Sequence, residues 1–175
     1  EGNIEQAFSE ADIIVEHTFE FGRQAGVALE TRSLVASFEP MNRQLIVYQS
    51  HQTPYQMQNV YAEHLGLNEN KVQVIANDIG GSFGIKLHAY PDEMAAVAAS
   101  VILGRPIKYI ADRHESFLSD IHSREMRATG RLALNREGQI LGVDVDILSA
   151  IGAYSIYPRT SVGDGIQAMQ FTRAP

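Results

Sequence analysis

The stretch IANDIGGSFGIKLHAYPDE, residues 75–93, constrains this chain more than any other. An apolar, β-forming run enters it and a Pro-led, alanine-rich run leaves it, so the glycines must turn a strand into a helix. Glycine supplies backbone freedom and leaves the main-chain amides uncovered. Such a loop serves either as a tight connection or as a concavity of N–H groups for an anionic or cofactor group, with Lys86 able to add a charge. Two nucleotide templates fail. A P-loop needs Gly, Lys and Ser/Thr in succession, and Lys86 stands between Ile85 and Leu87. The dinucleotide fingerprint G-x-G-x-x-G does not fit Gly80-Gly81-Ser82-Phe83-Gly84, and no matching βαβ unit with an acidic strand end follows. The tight turn and the amide-lined cradle both stay open on these residues alone.

The rest of the chain alternates strand and helix signals. Asn3 and Gln6 resemble a capping box, and Ile4, Ala7, Phe8 and Ala11 share a face, which predicts a short helix over 4–11. Val15, His17, Phe19 and Phe21 alternate with Glu16, Thr18 and Glu20, predicting a strand with one wet face. Residues 33–38 and 44–50 flank the turn residues EPMNR and predict a hairpin. Thr53 as N-cap, Pro54 at the first helical position and Gln56 closing a capping box start a second helix. Its inward stripe is Met57, Val60, Tyr61 and Leu65, and Gly66 suits its C-terminal cap. KVQVIAN is a strand that feeds the glycine loop. Pro91 opens a third helix with acidic residues in its first turn and Gly104 past its end. RPIKYIAD is a strand, and REMRATGRLALN and QILGVDVDILSAIGAY are long strands joined by the turn NREG. This order specifies an α+β fold of two layers, a mixed β-sheet with helices packed on one side. It reads as a single domain over 1–175, with a lead-in over 1–40, a core over 41–156 and an irregular end over 157–175.

Composition excludes several classes. With 21 acidic against 14 basic residues and a net charge of −7, no basic stripe supports nucleic-acid binding. No apolar run approaches the roughly 18–20 residues of a membrane span, and no signal-peptide pattern opens the chain, so no membrane insertion and a cytoplasmic setting are expected. The absence of cysteine removes thiolate nucleophiles and cysteine-bound zinc or iron–sulfur centres from this chain. His17, His51, His64, His88, His114 and His122 lack metal-ligand spacing as a set. Asp92, Glu93, Asp112, Glu115 and Asp164 read as helix-start, turn or surface acids. The opening EGNIEQAFSEAD and the closing FTRAP suggest a piece of a longer polypeptide.

GGSFGIK at 80–86 resembles the Gly-Gly-Gly-Phe-Gly-Gly-Lys motif of the molybdenum hydroxylase family. That family comprises xanthine dehydrogenase, aldehyde oxidase and the aerobic carbon monoxide dehydrogenase. EADIIVEHTFEFGRQAGVALETRSLVASFE (10–39) is similar to the family's opening strand and Glu-Pro-Arg segment. LIVYQSHQTPYQMQNVYAEHLGL (45–67) resembles its Ser-Thr-Gln segment and following helix. GRPIKYIADRHE (104–115) and EGQILGVDVDILSAIGAY (137–154) match in style and order. The resemblance implies the first cofactor-binding domain of a large subunit that binds a molybdenum-pterin cofactor, molybdopterin or its cytosine dinucleotide form. The metal's thiolates then come from the cofactor, which suits a chain without cysteine.

By this resemblance Gln52 corresponds to the glutamine whose amide approaches an oxygen ligand of the molybdenum. Phe83 and Gly84 correspond to residues beside the metal and pterin, and Gly81 and Ser82 complete the cofactor-binding loop. The implied reaction is hydroxylation or oxidation of a small molecule, of the aldehyde, heterocycle or carbon monoxide type, with water as oxygen source. Implied partners are the remainder of the large subunit and iron–sulfur and FAD subunits that take the electrons. The family's catalytic glutamate lies far beyond the matched region, so no catalytic residue is assigned in this chain, and the fragment alone is expected to be inactive and without cofactor. Leu87 stands where purine-oxidising members carry a substrate-binding glutamate, which argues against a purine substrate. Ser82 and Ile85 replace family glycines, and Thr31 replaces the proline of Glu-Pro-Arg, leaving Glu30 and Arg32 as structural residues, an ion pair with each other being one reading. Two other readings remain: a non-catalytic interaction or scaffold domain, or a truncated relative that has lost cofactor binding, and a generic phosphate-binding domain using the loop.

Overall fold

Strand pairing and helix packing follow the apolar alternation of the sequence and divide the chain into two compact units. The computed structural model describes residues 2–123, 125–152 and 155–158. In chain order the elements are α1 (Ile4–Ser9), β1 (Ile13–Phe21), β2 (Gln24–Ala25), β3 (Ser33–Glu39), β4 (Gln44–Gln49), α2 (Pro54–Leu65) and β5 (Val72–Ile75). There follow α3 (Pro91–Leu103), β6 (Ile107–Ile110), α4 (Arg113–Ser119), β7 (His122–Ser123), β8 (Met126–Leu134) and β9 (Ile140–Ser149). The α+β class with mixed strand pairing is the one the sequence specifies.

The unit containing Ala25–His122 is built on a four-stranded sheet in the order β5-β4-β3-β6. β3 runs antiparallel to both β4 and β6, whereas β4 and β5 run parallel. Parallel neighbours need a crossover, and α2 supplies it. Leu34 and Ala36 of β3 alternate with exposed Val35, and Leu45 and Val47 of β4 point to the same face. Onto that face pack Met57, Val60 and Tyr61 of α2 and Val97 of α3, so both helices share one core layer. Gly66 and Gly104 end α2 and α3 in the left-handed conformation, as their positions foretell.

Arg32, at the entrance to β3, ties this unit together. Its side chain is fully buried. Nη1 and Nη2 donate to the two carboxylate oxygens of Asp92 at 2.8 and 2.7 Å, and Nε donates to Asp120 at 2.6 Å. The guanidinium lies 3.4 Å from the Glu93 carboxylate and stacks over the Tyr90 ring at 3.8 Å. The start of β3, the first turn of α3 and the end of α4 are thereby joined through a planar, multidentate cation. Burial opposes the charge on Arg32, but Asp92, Glu93 and Asp120 outweigh it and hold the guanidinium protonated. Three carboxylates face this one cation, and Glu93 takes the strain. Burial first and then Asp92 push its pKa up to about 7, against the pull of Arg32.

The other unit contains the described residues of Glu1–Gln24 and Ser123–Tyr154. It is an antiparallel sheet in the order β1-β8-β9, with α1 against β9. The register sets Val15, His17, Phe19 and Phe21 beside Leu132, Gly130, Ala128 and Met126, which gathers the apolar residues on one face.

Several expectations need correction. α1 stops at Ser9 rather than at residue 11, where Glu10 closes the last turn by donating to Gln6. The alternation in β1 is real, but all nine of its residues are exposed, because a thin three-stranded sheet with one short helix covers little area. Glu30 and Arg32 do not pair with each other: Glu30 meets Lys86, and Arg32 meets Asp92, Glu93 and Asp120. Glu93 is buried rather than a surface acid. α4 is an additional helix, started by a full capping box between Asp112 and Glu115. Asp164, residues 153–154 of the last expected strand and 159–175 lie outside the described residues.

Replacing Arg32 with methionine strands three carboxylates around a vacated cation position. The expected loss is about 3–5 kcal/mol, read as a lowered urea midpoint. Because the Glu93 pKa is raised from 4.5 to about 7 in the folded state, its stabilising contribution is complete below pH 4.5 and lost as pH rises towards 7. The Glu93→Gln variant should therefore show a flatter decline of stability across that window in pH-dependent denaturation.

Candidate functional site

Parallel pairing of β4 and β5 places their carboxyl ends side by side. Ser50, His51 and Gln52 leave the end of β4, and the glycine loop leaves the end of β5. Open α/β arrangements bind ligands in the crevice beyond such strand ends. The two segments meet directly: the Gln52 amide N–H donates to the Lys86 carbonyl at 2.9 Å, and the Ser82 hydroxyl donates to Gln52 Oε1. Ser82 Oγ also accepts the Lys86 amide N–H at 3.1 Å.

The loop is tightly specified by its backbone. Phe83 and Gly84 both adopt positive φ, 53° and 90°. At Gly84 an added side chain would meet no atom within 4 Å, so open space lies in front of this residue. At Gly80 a Cβ would stand 2.5 Å from the Cβ of Glu30, so the close approach of the two backbones excludes a side chain. Among the described residues, the amides of Gly81, Ser82, Phe83 and Gly84 have no hydrogen-bond acceptor. The Phe83 side chain is 77% exposed, and its Cβ packs beside Gly26. Gln52 is exposed, with its amide nitrogen turned away from the Ser82 contact.

Lys86, which the sequence offered as an added charge for the loop, is engaged elsewhere. Its side chain is fully buried, and Nζ donates to Glu30 Oε2 at 2.7 Å. The same oxygen accepts from Ser50 Oγ at 2.6 Å and from the Gly80 amide at 2.8 Å. Burial raises the Glu30 pKa, but the hydrogen bonds from Lys86, Ser50 and Gly80 outweigh it and bring it down to about 2. The concavity therefore offers main-chain dipoles without a free lysine charge, which weakens the generic phosphate-binding reading. The capping box at Thr53 and Gln56 also gives way. His51 Nδ1 accepts the Thr53 amide N–H at 3.1 Å, and Gln56 reaches the Leu87 carbonyl instead. With Nδ1 accepting, His51 Nε2 donates to the His88 carbonyl at 3.2 Å, and burial holds the ring pKa below its ordinary value.

All five residues expected at the site, Gln52, Gly81, Ser82, Phe83 and Gly84, thus lie on two adjoining segments. Glu30 and Ser50 enter as partners that sequence reasoning missed. The only signal for Glu30 was its place two residues before Arg32, which suggested the wrong pair. Among the described residues no group of three or more His, Asp or Glu side chains could hold a metal. A pterin-held metal fits the open space before Gly84, the unengaged amides and the exposed amide of Gln52.

With this geometry in place, comparison with known proteins is informative. Residues 1–172 match the family described as the molybdopterin cofactor-binding domain. The chain is 36% identical over 159 residues to the nicotine 6-hydroxylase large subunit of Paenarthrobacter nicotinovorans, covering 91% of this chain and 20% of that protein. It is 35% identical over 147 residues to the carbon monoxide dehydrogenase large chain of Hydrogenophaga pseudoflava, covering 84% and 18%. Among solved structures, quinoline 2-oxidoreductase from Pseudomonas putida 86 superimposes with a TM-score of 0.84 at 31% identity, covering 91% of this chain and 20% of that one. This chain belongs to the molybdopterin cofactor-binding domain family of the molybdenum hydroxylase large subunits. It spans about a fifth of the length of these relatives.

Gly84→Ala imposes a left-handed backbone on a residue with a Cβ and should lower stability by about 1–2 kcal/mol, measured by chemical denaturation. The Glu30 contribution is present above its unfolded pKa of 4.5 and disappears as pH falls towards 2. Glu30→Gln should accordingly remove part of the stability loss seen between those pH values.

Proposed function

We propose that this chain is one cofactor-binding domain, its two units together, of the large subunit of a molybdenum-dependent oxidoreductase. That enzyme hydroxylates or oxidises a small molecule of the aldehyde, heterocycle or carbon monoxide type, using water as oxygen source. The observation that carries the reading is the junction of Gln52 with the glycine loop, where an exposed amide side chain adjoins a loop whose four main-chain amides are unengaged among the described residues and which has open space at Gly84. The cofactor is molybdopterin or its cytosine dinucleotide form, and when bound it supplies the two-electron redox chemistry.

The residues of this chain bind and orient. Gln52 presents its amide nitrogen as a hydrogen-bond donor, fixed in that sense because its oxygen accepts from Ser82. The amides of Gly81–Gly84 offer donors that carry no titratable charge, so their strength does not change with pH. Gly84 leaves room for close approach, and Phe83 offers an exposed apolar ring on the same loop. The general base and the remaining cofactor contacts come from outside the matched region, and the electrons pass to iron–sulfur and FAD subunits. Leu87, half-buried after the loop, offers no carboxylate to a purine, and the similarity to proteins named for nicotine and quinoline supports an N-heteroaromatic substrate within the proposed range.

The test is to purify the native enzyme that contains this domain and measure molybdenum and pterin per chain. Stoichiometric loading is expected, and a preparation without either would overturn the reading. Gln52→Ala should retain the fold yet lower turnover by about tenfold or more, as loss of one positioned donor to a polar group implies.

A further inference from the structure

We propose that Glu30 is a positioning residue for Gln52, holding both site segments in one register through a single carboxylate oxygen. This rests on the cofactor-binding reading of the Gln52–glycine loop junction. Three donors converge on Glu30 Oε2: Ser50 Oγ, the Gly80 amide and Lys86 Nζ. They come from the β4 exit, from the start of the glycine loop and from its end. All three contacts are made at once, at 2.6–2.8 Å, so the three points are held close to one another. The Glu30 amide N–H donates in turn to the Gly80 carbonyl at 3.1 Å, closing a reciprocal contact across the loop entrance.

Lys86 transmits that placement to Gln52. Its ammonium is fixed by Glu30, its amide by Ser82 Oγ, and its carbonyl accepts the Gln52 amide N–H. Ser82 then sets the side chain. With one lone pair occupied by the Lys86 amide, its hydroxyl donates to Gln52 Oε1 and leaves Nε2 facing outward. A buried lysine paired with a partly exposed carboxylate is a weak source of stability, since desolvating the lysine offsets the attraction. What it supplies here is geometry, because an apolar pair at 30 and 86 would not tie Ser50, Gly80 and Lys86 to a common point.

The experiment uses the native holoenzyme carrying Glu30→Gln with Lys86→Met, which removes the pair without leaving a buried charge, and separately Ser82→Ala, which cuts the contact at Gln52. Molybdenum and pterin per chain, kcat per bound molybdenum, KM and the thermal midpoint are measured for each. Hydrogen exchange in the cofactor-free protein is compared at the Gln52 amide and at Val47 in the core. In the double variant, Gln52 exchange should rise about tenfold while Val47 is unchanged, the response of a local rather than global opening. In both variants, kcat per bound molybdenum should fall about tenfold or more with KM altered little, as expected for a displaced orienting group. A purely structural role would lower the midpoint or the loading and leave kcat per bound molybdenum intact; that result in both variants overturns the proposal. If the double variant does not fold, Glu30→Gln alone, which weakens the same three contacts, decides by the same readouts. Gln52→Ala separates the two readings: if it leaves loading and turnover unchanged, the cofactor reading falls and this inference with it. If Gln52→Ala is defective while the other variants are normal, only the positioning role is rejected.

Discussion

The buried guanidinium of Arg32 is the interaction on which the larger unit depends. An uncompensated charge in that position would cost more than the whole unit can spare, so Asp92 and Asp120 have to arrive in hydrogen-bonding geometry. That requirement links β3 to the first turn of α3 and to the end of α4. Tyr90, immediately before α3, stacks on the guanidinium, and its hydroxyl donates to the Ile85 carbonyl at the end of the glycine loop. The structural charge cluster and the candidate site are therefore neighbours along one chain of contacts within a single unit.

A second, smaller charge pair does a different job. Around Arg32 the carboxylates outnumber the cation, and Glu93 is pushed towards its neutral form. Around Lys86 one carboxylate serves three donors and is held ionised. The first arrangement fixes elements of secondary structure, and the second fixes two loops. The glycine loop between them carries unengaged main-chain amides, an exposed phenyl ring at Phe83 and open space at Gly84, and it touches the carboxamide of Gln52. This suits a cofactor that brings its own metal ligands to a chain without cysteine.

Local signals were legible where local physics decides. Pro54 and Pro91 at helix starts, Gly66 and Gly104 at helix ends, and the alternation in β3 and β4 all act within a few residues, and the structure contains them as read. The motif around Phe83 and the segment around Gln52 were legible through resemblance. The capping box at Thr53 was misread because His51, only two residues away, competes for the same amide. The charged partners of Arg32 and Glu30 were misread because they lie 56 to 88 residues away, and adjacency in sequence favoured pairing the two with each other. The helix at α4 escaped notice because its seven residues are too few for a periodic stripe.

The sequence by itself determined the element types, the α+β class, the glycine loop between strand and helix, and the residues that resemble a molybdopterin-binding domain. These follow from periodicity, backbone restriction at Gly and Pro, and motif order. Only the tertiary structure decided that β4 and β5 run parallel, that Gln52 and Ser82 therefore touch, and that Lys86 turns inward to Glu30. The reason is physical: pairing direction and charge partnership depend on burial and on distances between remote segments, and neither quantity exists until the chain has folded.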